Sequence, residues 1–334
     1  MIAYDQDKTF NRKTVLLFLW LMLIIATLAG CNEKANISDH SNEPSSSDKD
    51  FPVTVTDGLN RKVTIETKPA RIVSVAPQHT ETLFALGLGE RIVGVTDYCN
   101  YPEEAQTLEK IGGFSDPNLE RIVSLKPDLV VATADQHQDI IQGLNNVGIP
   151  VLAFSPHSIE GIIHTIAVIG QATGNTAAAT ALNNRIQQRI DAIIAKVRDI
   201  PEEQRPRVYY ELWYEPLMSV GPNTLISDLI KTAGGISITS DAKEDYPTFS
   251  EEILLSRDPQ VMLHTYGHGN QMVPTAEQIA SRPGWERLSF IKAGRVYSLN
   301  ADLVERSGPR VVDALELIAQ ALYPHFFTES LDGN

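Results

Sequence analysis

The sequence predicts an α/β fold of two lobes joined by one long helix, and three observations carry that reading. Short, mostly apolar runs such as Leu129–Ala132 and Val261–His264 alternate with stretches of helical periodicity. A helix–turn–strand unit occurs twice, beginning Asn118-Leu119-Glu120-Arg121 and Ser250-Glu251-Glu252-Ile253. Each copy puts a glutamate, Glu120 or Glu252, in the opening helical turn and follows it with a basic residue, a Pro and a strand. Residues 175–198 hold no Pro or Gly and repeat apolar side chains from Leu182 through Ile186, Ile190 and Ile193 to Val197, a helix of about 24 residues halfway along the body. A second matched pair, Ser74-Val75-Ala76-Pro77 and Ser219-Val220-Gly221-Pro222, is expected to end a strand and lead into a helix in each lobe. Two pairs in the same order point to duplication; chance look-alikes within an α/β chain are the competing reading. For the long helix the competing reading is an ordinary crossover.

The segments follow in order. Residues 1–30 read as a signal peptide: Arg12 and Lys13 precede an apolar run from Val15 to Ala26, shorter than the ~20 residues a transmembrane helix needs. Leu28-Ala29-Gly30-Cys31 ends it, and small residues before a thiol suit a peptidase pocket and lipid transfer to Cys31. An ordinary signal peptide with an accidental Cys is the alternative. Residues 31–50, rich in Ser, Asn, Asp and Lys, read as the lipidated Cys and a flexible tether. Residues 51–173 form the first lobe. It opens with a hairpin around Asp57-Gly58 and continues with strands at Arg71–Val75, Arg91–Thr96, Leu129–Ala132 and Val151–Phe154, separated by helices. Residues 174–200 hold the linking helix, and residues 201–334 the second lobe. Its expected strands are Val208–Leu212, Leu217–Val220, Val261–His264 and Val296–Ser298; Gly234-Gly235 ends a helix begun near Thr224, and a final helix spans Val311–Leu322.

Composition bounds the function. The 334 residues favour about two domains, and a hydrophobic share of 43% supplies their cores. A formal net charge of −14 argues against a nucleic-acid surface and against a basic membrane patch. With two cysteines in the chain and Cys31 acylated, Cys99 has no partner and is expected as a buried small residue. There is no G-x-S-x-G elbow, no H-E-x-x-H pair and no P-loop, and Gly87-Leu88-Gly89 lacks the third glycine of a dinucleotide fingerprint. Export, a tether, paired lobes and paired glutamates together favour a binding protein, with a secreted hydrolase as the more distant alternative.

Further residues carry a resemblance. Asp97-Tyr98-Cys99-Asn100-Tyr101-Pro102, then Phe114 ahead of Glu120, then Asp302-Leu303-Val304-Glu305-Arg306-Ser307-Gly308-Pro309-Arg310 are, in that order, similar to the substrate-binding proteins of bacterial ABC importers. The class resembled is the third class of periplasmic binding proteins, in which two α/β lobes joined by one rigid helix enclose a ligand cleft. It serves iron-siderophores, haem and vitamin B12, and the B12 binders are the most similar. The resemblance covers Phe51 to the C-terminus. It implies a corrinoid cargo, with a ferric siderophore or haem as the alternative and no resident cofactor. It also implies a permease with its ATPase as partner, a monomer, and an exported location at the membrane through the lipid anchor.

The resemblance also implies residue roles. Tyr98, Phe114 and Tyr246 become aromatic walls for a flat macrocycle, and Asp302 and Arg306 its polar contacts on the second lobe; Trp213 and Tyr214 are weaker candidates. Thr133 stands where a B12 binder carries another aromatic. Glu120 and Glu252 become docking carboxylates for permease arginines, and a plain helix-start charge is the alternative. His264-Thr265-Tyr266-Gly267-His268 reads as a polar loop at the cleft mouth, with metal or haem ligation as the alternative.

Overall fold

The computed structural model describes residues 51–266 and 274–327. The signal segment, Cys31 and the tether lie outside the described residues, as do Gly267 and His268. Strands β1 (Val53–Thr56) and β2 (Lys62–Ile65) pair antiparallel as the expected hairpin. Asp57 shapes its turn by accepting from the backbone N–H groups of Leu59 and Arg61 at 3.1 and 3.0 Å. The tip lies against the first sheet: Gly58 N–H donates to the Ala153 carbonyl at 2.8 Å, and a Cβ on Gly58 would stand 2.8 Å from that same oxygen, so only glycine fits.

The first lobe then runs β3 (Ile72–Ser74), α1 (Pro77–Ala85), β4 (Ile92–Val95), α2 (Leu119–Ser124), β5 (Leu129–Ala132), α3 (Gln138–Asn146), β6 (Val151–Ala153) and α4 (Ile159–Ala172). Helix α5 (Thr176–Val197) follows, one residue shorter at each end than the sequence predicts. The second lobe runs β7 (Arg207–Glu211), α6 (Leu225–Thr232), β8 (Ile236–Ser237), α7 (Glu251–Arg257), β9 (Val261–Tyr266), α8 (Ala276–Ala280), α9 (Ser289–Lys292), β10 (Val296–Asn300), α10 (Ala301–Val304) and α11 (Val311–Leu322).

Both sheets are wholly parallel. Their strand orders, β4-β3-β5-β6 and β8-β7-β9-β10, are one order: second, first, third, fourth. The duplication reaches side chains. In α2 the cap is Asn118, accepting from Arg121 N–H at 2.9 Å, and in α7 it is Ser250, accepting from Ile253 N–H at 3.3 Å. Each helix is followed by a non-glycine residue at positive φ immediately before a proline, Lys126 at 48° and Asp258 at 37°. An arginine opening the first strand of each lobe holds the end of that helix. Arg71 Nε and Nη2 donate to Leu125 O at 2.9 and 2.6 Å; Arg207 donates from Nε to Arg257 O at 3.1 Å and from Nη2 to Asp258 O at 2.9 Å.

Two expectations are corrected. Leu217–Val220 is not a strand of the second sheet. Met218 forms isolated bridges with Trp213 and Thr248, and the Ser219 and Gly221 N–H groups go to Pro247 and Asp245. The fourth strand is instead β8, two residues long and without a periodic pattern to betray it. The segment from His264 to Tyr266 is not a loop: the strand expected to end at His264 runs on as β9 through Thr265 and Tyr266, paired to β10, and His264 is only 3% exposed.

The apolar core has three parts. Val73, Ile111, Ile122, Val130 and Leu144 pack on one side of the first sheet. Tyr209, Leu254, Met262, Trp285 and Phe290 do the same for the second. The third part is continuous across both lobes: Ile72, Leu129 and Ile166 of the first, Ile186 and Ile190 of α5, and Val208, Leu263, Leu315 and Ile318 of the second belong to one cluster. Helix α5 is thus buried along its apolar stripe against α4 of the first lobe and α11 of the second, which makes the connection a packed element and not a strap.

Candidate ligand-binding cleft

The chain leaves the sheets through loops beyond the carboxyl ends of the strands, the position at which open α/β sheets bind ligands. A cavity of about 870 Å³ opens there. The first lobe supplies Gln78, Tyr98, Phe114 and Asp135 to its wall, and the second Trp213, Tyr246, Glu305 and Arg306. Its size suits a sizeable small molecule.

The structure brings together five of the seven residues expected to meet ligand: Tyr98, Phe114, Trp213, Tyr246 and Arg306 line the cavity. Tyr98, Trp213 and Tyr246 are 52%, 60% and 54% exposed, a large aromatic area held open to solvent. Trp213 is fixed by its indole N–H donating to Glu215 O at 2.9 Å. Asp302 does not line the cavity: it sits 2.8 Å from Arg306 Nη2 and accepts from Asn100 Nδ2 at 2.8 Å. Tyr214 does not line it either, and packs its ring 3.7 Å from the Arg282 guanidinium. Arg306 is only 7% exposed and donates through Nη1 to Glu81 at 3.1 Å and to Asn100 Oδ1 at 2.7 Å, while its Nε has no partner among the described residues.

Two buried histidines underlie the first-lobe wall. His137 accepts from Thr133 N–H at Nδ1, 3.0 Å, and meets the Phe114 carbonyl through Nε2 at 2.7 Å, which makes Nε2 the protonated nitrogen of a neutral ring. Its ring meets Phe114 edge-on at 5.2 Å, so it holds the Phe114 loop in place by backbone and by ring. Gln78 donates to Thr133 Oγ1 at 3.2 Å and occupies part of this wall. Burial lowers the pKa of His137, and burial with the neighbouring His137 brings that of His79 to about 4. On the second lobe burial likewise lowers that of His264, while Glu211 beside it opposes the shift. Among the described residues no group of three or more His, Cys, Asp or Glu side chains is placed to hold a metal ion.

Glu120 and Glu252 are exposed, one in the first turn of α2 and one in that of α7, at equivalent places in the duplicated units. Cys99 is buried, with the Thr80 and Thr96 hydroxyls 3.1 and 3.2 Å from its sulfur. Sequence reasoning missed Gln78, Asp116, Asp135, His157 and Glu305 on the cavity wall. The available signal was position: Asp135 follows the end of β5 as Tyr98 follows the end of β4.

The profile of the periplasmic binding protein family matches residues 72–303. Over 318 residues the chain is 31% identical to YvrC of Bacillus subtilis, an ABC transporter substrate-binding lipoprotein, covering 93% of this chain and 98% of that one. It is 34% identical to a cobalamin-binding protein of Halobacterium salinarum, over 82% of this chain and 74% of the relative. Among solved structures, the vitamin B12 binding protein BtuF of Vibrio cholerae superposes with a TM-score of 0.65 at 26% identity, covering 79% of this chain and 99% of that one. The haem-binding protein RhuT of Roseiflexus sp. RS-1 does so with a TM-score of 0.67 at 27% identity, covering 76% and 98%.

Proposed function

The chain belongs to the periplasmic binding protein family, and from that membership we propose that it captures a corrinoid such as cobalamin in the cleft and delivers it to an ABC permease. It is a binding protein and not an enzyme: it works as the substrate-binding component of an ABC transporter of the B12, siderophore and haem class. One observation carries the ligand reading. Aromatic side chains from both lobes, Tyr98 and Phe114 of the first and Trp213 and Tyr246 of the second, line a single cavity, and Tyr98, Trp213 and Tyr246 keep more than half their area exposed. Such walls fit the two faces of a broad, flat macrocycle, and the ring hydroxyls offer hydrogen bonds to its amide fringe. The likeness to a cobalamin-binding relative supports the same reading.

In this reading residues 51–173 and 201–334 are the two lobes, held by a rigid link over residues 174–200. Arg306 is the polar contact on the cleft floor, and Asp302 acts through it by fixing the guanidinium. Glu120 and Glu252 dock the permease, and Cys31 carries the lipid that keeps the protein at the outer face of a membrane. Spectral titration of the purified soluble body with cyanocobalamin tests the ligand: one site per chain is expected with Kd below ~1 μM, near −8 kcal/mol. Haem is the second reading, favoured by the likeness to RhuT. Tight haem binding with no uptake of cobalamin would replace the first reading by the second.

A further inference from the structure

We propose that His137 is the positioning residue of the first-lobe wall, holding two segments of that wall in place for ligand only while its imidazole is neutral. The inference rests on reading the cavity as the ligand site. It adds a residue that acts from behind the wall: His137 is only 1% exposed and lies outside the cavity lining. The first segment is the turn from Thr133 to His137, which supplies Thr133, Asp135 and Gln136 to the wall. Two hydrogen bonds close it. The His137 N–H donates to the Thr133 carbonyl at 3.1 Å, and the Thr133 N–H donates back to Nδ1 at 3.0 Å. The second segment is the loop carrying Phe114, Ser115 and Asp116, drawn together at its base by a bridge between Gly112 and Pro117. There Nε2 donates to the Phe114 carbonyl at 2.7 Å, and the two rings meet edge-on. Gln78 joins the network from α1 by donating to Thr133 Oγ1. The ring does this from a fixed base, because His137 caps α3 and its own carbonyl accepts from the Ile141 N–H at 2.8 Å.

Such a link works in one protonation state. A neutral imidazole with its proton on Nε2 accepts at one nitrogen and donates at the other, which is what its two partners require. A proton on Nδ1 sets two donors against each other and leaves the buried Thr133 N–H without an acceptor, a state that the turn relieves by opening. Burial lowers the pKa of His137, and the Phe114 carbonyl opposes the shift. His79 faces it from α1 as a titratable neighbour. Asp116 lies on the Phe114 loop, Asp139 in the first turn of α3, and Asp135 and His157, 3.7 Å apart, at the wall beside the turn. Ligand needs the closed wall, so the free protein takes up the proton more readily than the complex. Affinity is therefore full near neutral pH and is lost as pH falls through the titration of His137 in the free protein.

The test joins a binding profile to a readout that needs no ligand. Cyanocobalamin affinity, followed by absorbance from about pH 7.5 to about pH 5 with folding checked by circular dichroism, should fall severalfold across that span. His137→Asn offers Thr133 an oxygen in place of Nδ1, does not titrate, and with its shorter side chain gives up the bond to Phe114. Its affinity should be lower at neutral pH and flat with pH. A His137→Asn variant less stable than the parent but equal to it in affinity and in pH profile would leave the residue a packing role alone and overturn the proposal. So would a profile abolished by His157→Gln and kept by His137→Asn. In the ligand-free parent, nitrogen-15 spectra should show the His137 proton on Nε2 at neutral pH, and the Thr133 amide should lose hydrogen-exchange protection as that ring becomes charged. Protection or affinity that outlasts the charging of His137 in the folded parent would also overturn it. Should cyanocobalamin fail to bind at any pH, the corrinoid reading falls, and the imidazole and amide signals decide on His137 by themselves.

Discussion

Arg306 on the second lobe donates to Glu81 on the first, Nη1 to Oε1 at 3.1 Å, with 7% of one side chain and 2% of the other exposed. Arg310 grips the same carboxylate, Nε to Oε2 at 2.7 Å and Nη2 to Oε1 at 2.6 Å, and lies 4.0 Å over the Tyr101 ring. Beside them Gly308 approaches the Gln78 backbone so closely that a Cβ would stand 3.3 Å from the carbonyl oxygen. The lobes are clamped directly beneath the cleft, in addition to the core they share through α5. Ligand should then enter a cleft that is already formed.

Two measurements check the clamp. X-ray scattering of the soluble body should give nearly the same radius of gyration with and without ligand, whereas a hinge would compact on binding. Glu81→Gln takes one charge partner from buried Arg306, which keeps Asp302, and one from half-buried Arg310, a loss that costs up to ~3–5 kcal/mol. For a body of this size that corresponds to a Tm lower by roughly 5–15 °C. A variant as stable as the parent would reduce the clamp to a fortuitous contact.

Much of this architecture was legible in the sequence because local rules and global packing agree. Leu129–Ala132 reads as a strand because it is apolar, carries two adjacent valines and is preceded by Pro127, and it is wholly buried in the sheet. Helix α5 reads clearly because its stripe from Leu182 to Val197 is the face packed between the lobes. Glu120 and Glu252 were matched by pattern, and the duplicated Arg71 and Arg207 clasps show that the match is structural. What failed was non-local. Leu217–Val220 has a strand's composition, but its N–H groups are claimed by the loop around Asp245 and Pro247. Arg306 could be named as a cleft residue, yet its bond to Glu81 spans 225 positions and no sequence pattern connects them. His79 and His137 are unremarkable singly and become a pair only when α1 and the segment beyond β5 meet.

That histidine pair makes stability depend on pH. In the unfolded chain an imidazole titrates near 6.5, whereas folded His79 titrates at about 4. Between those values the unfolded chain binds the proton and the folded protein does not, so stability is complete above about pH 6.5 and falls as pH drops towards 4. His79 alone accounts for roughly 3 kcal/mol at the bottom of that window, and His137 and His264, both lowered by burial, act in the same direction. Urea unfolding from pH 7.5 down to 4.5 (about the span of the window) should show the slope, and His79→Phe should flatten it. An identical slope in the variant would exclude His79 as its source.

The proposed lipid anchor at Cys31 is testable by substitution. Cys31→Ser should move the protein from the membrane fraction to the soluble fraction, since the acyl chains supply the hydrophobic area that holds it there. Equal membrane retention of the variant would remove the lipoprotein reading.

The proposed docking role sets Glu120 and Glu252 against a permease. Both are exposed, both sit in the first turn of the helix preceding the third strand of a lobe, and both helices end on a matching arginine clasp. Duplicated placement on a clamped body gives two carboxylates at a fixed separation, which suits two arginines on a partner of matching symmetry. Removing one partner of a desolvated charge pair costs ~2–5 kcal/mol, partly because the other charge is left unpaired. Either Glu→Ala change should therefore weaken import in vesicles carrying the permease while ligand affinity, measured on the free protein, stays as it was. The double variant should lose import almost entirely, and Glu→Arg should be worse than Glu→Ala because like charges then meet. A contact only at the solvated rim would cost under ~1 kcal/mol and leave import nearly intact. Normal import by the double variant would return both residues to the role of helix-start charges. Lost ligand binding would instead place them in the cleft, against their position outside its wall.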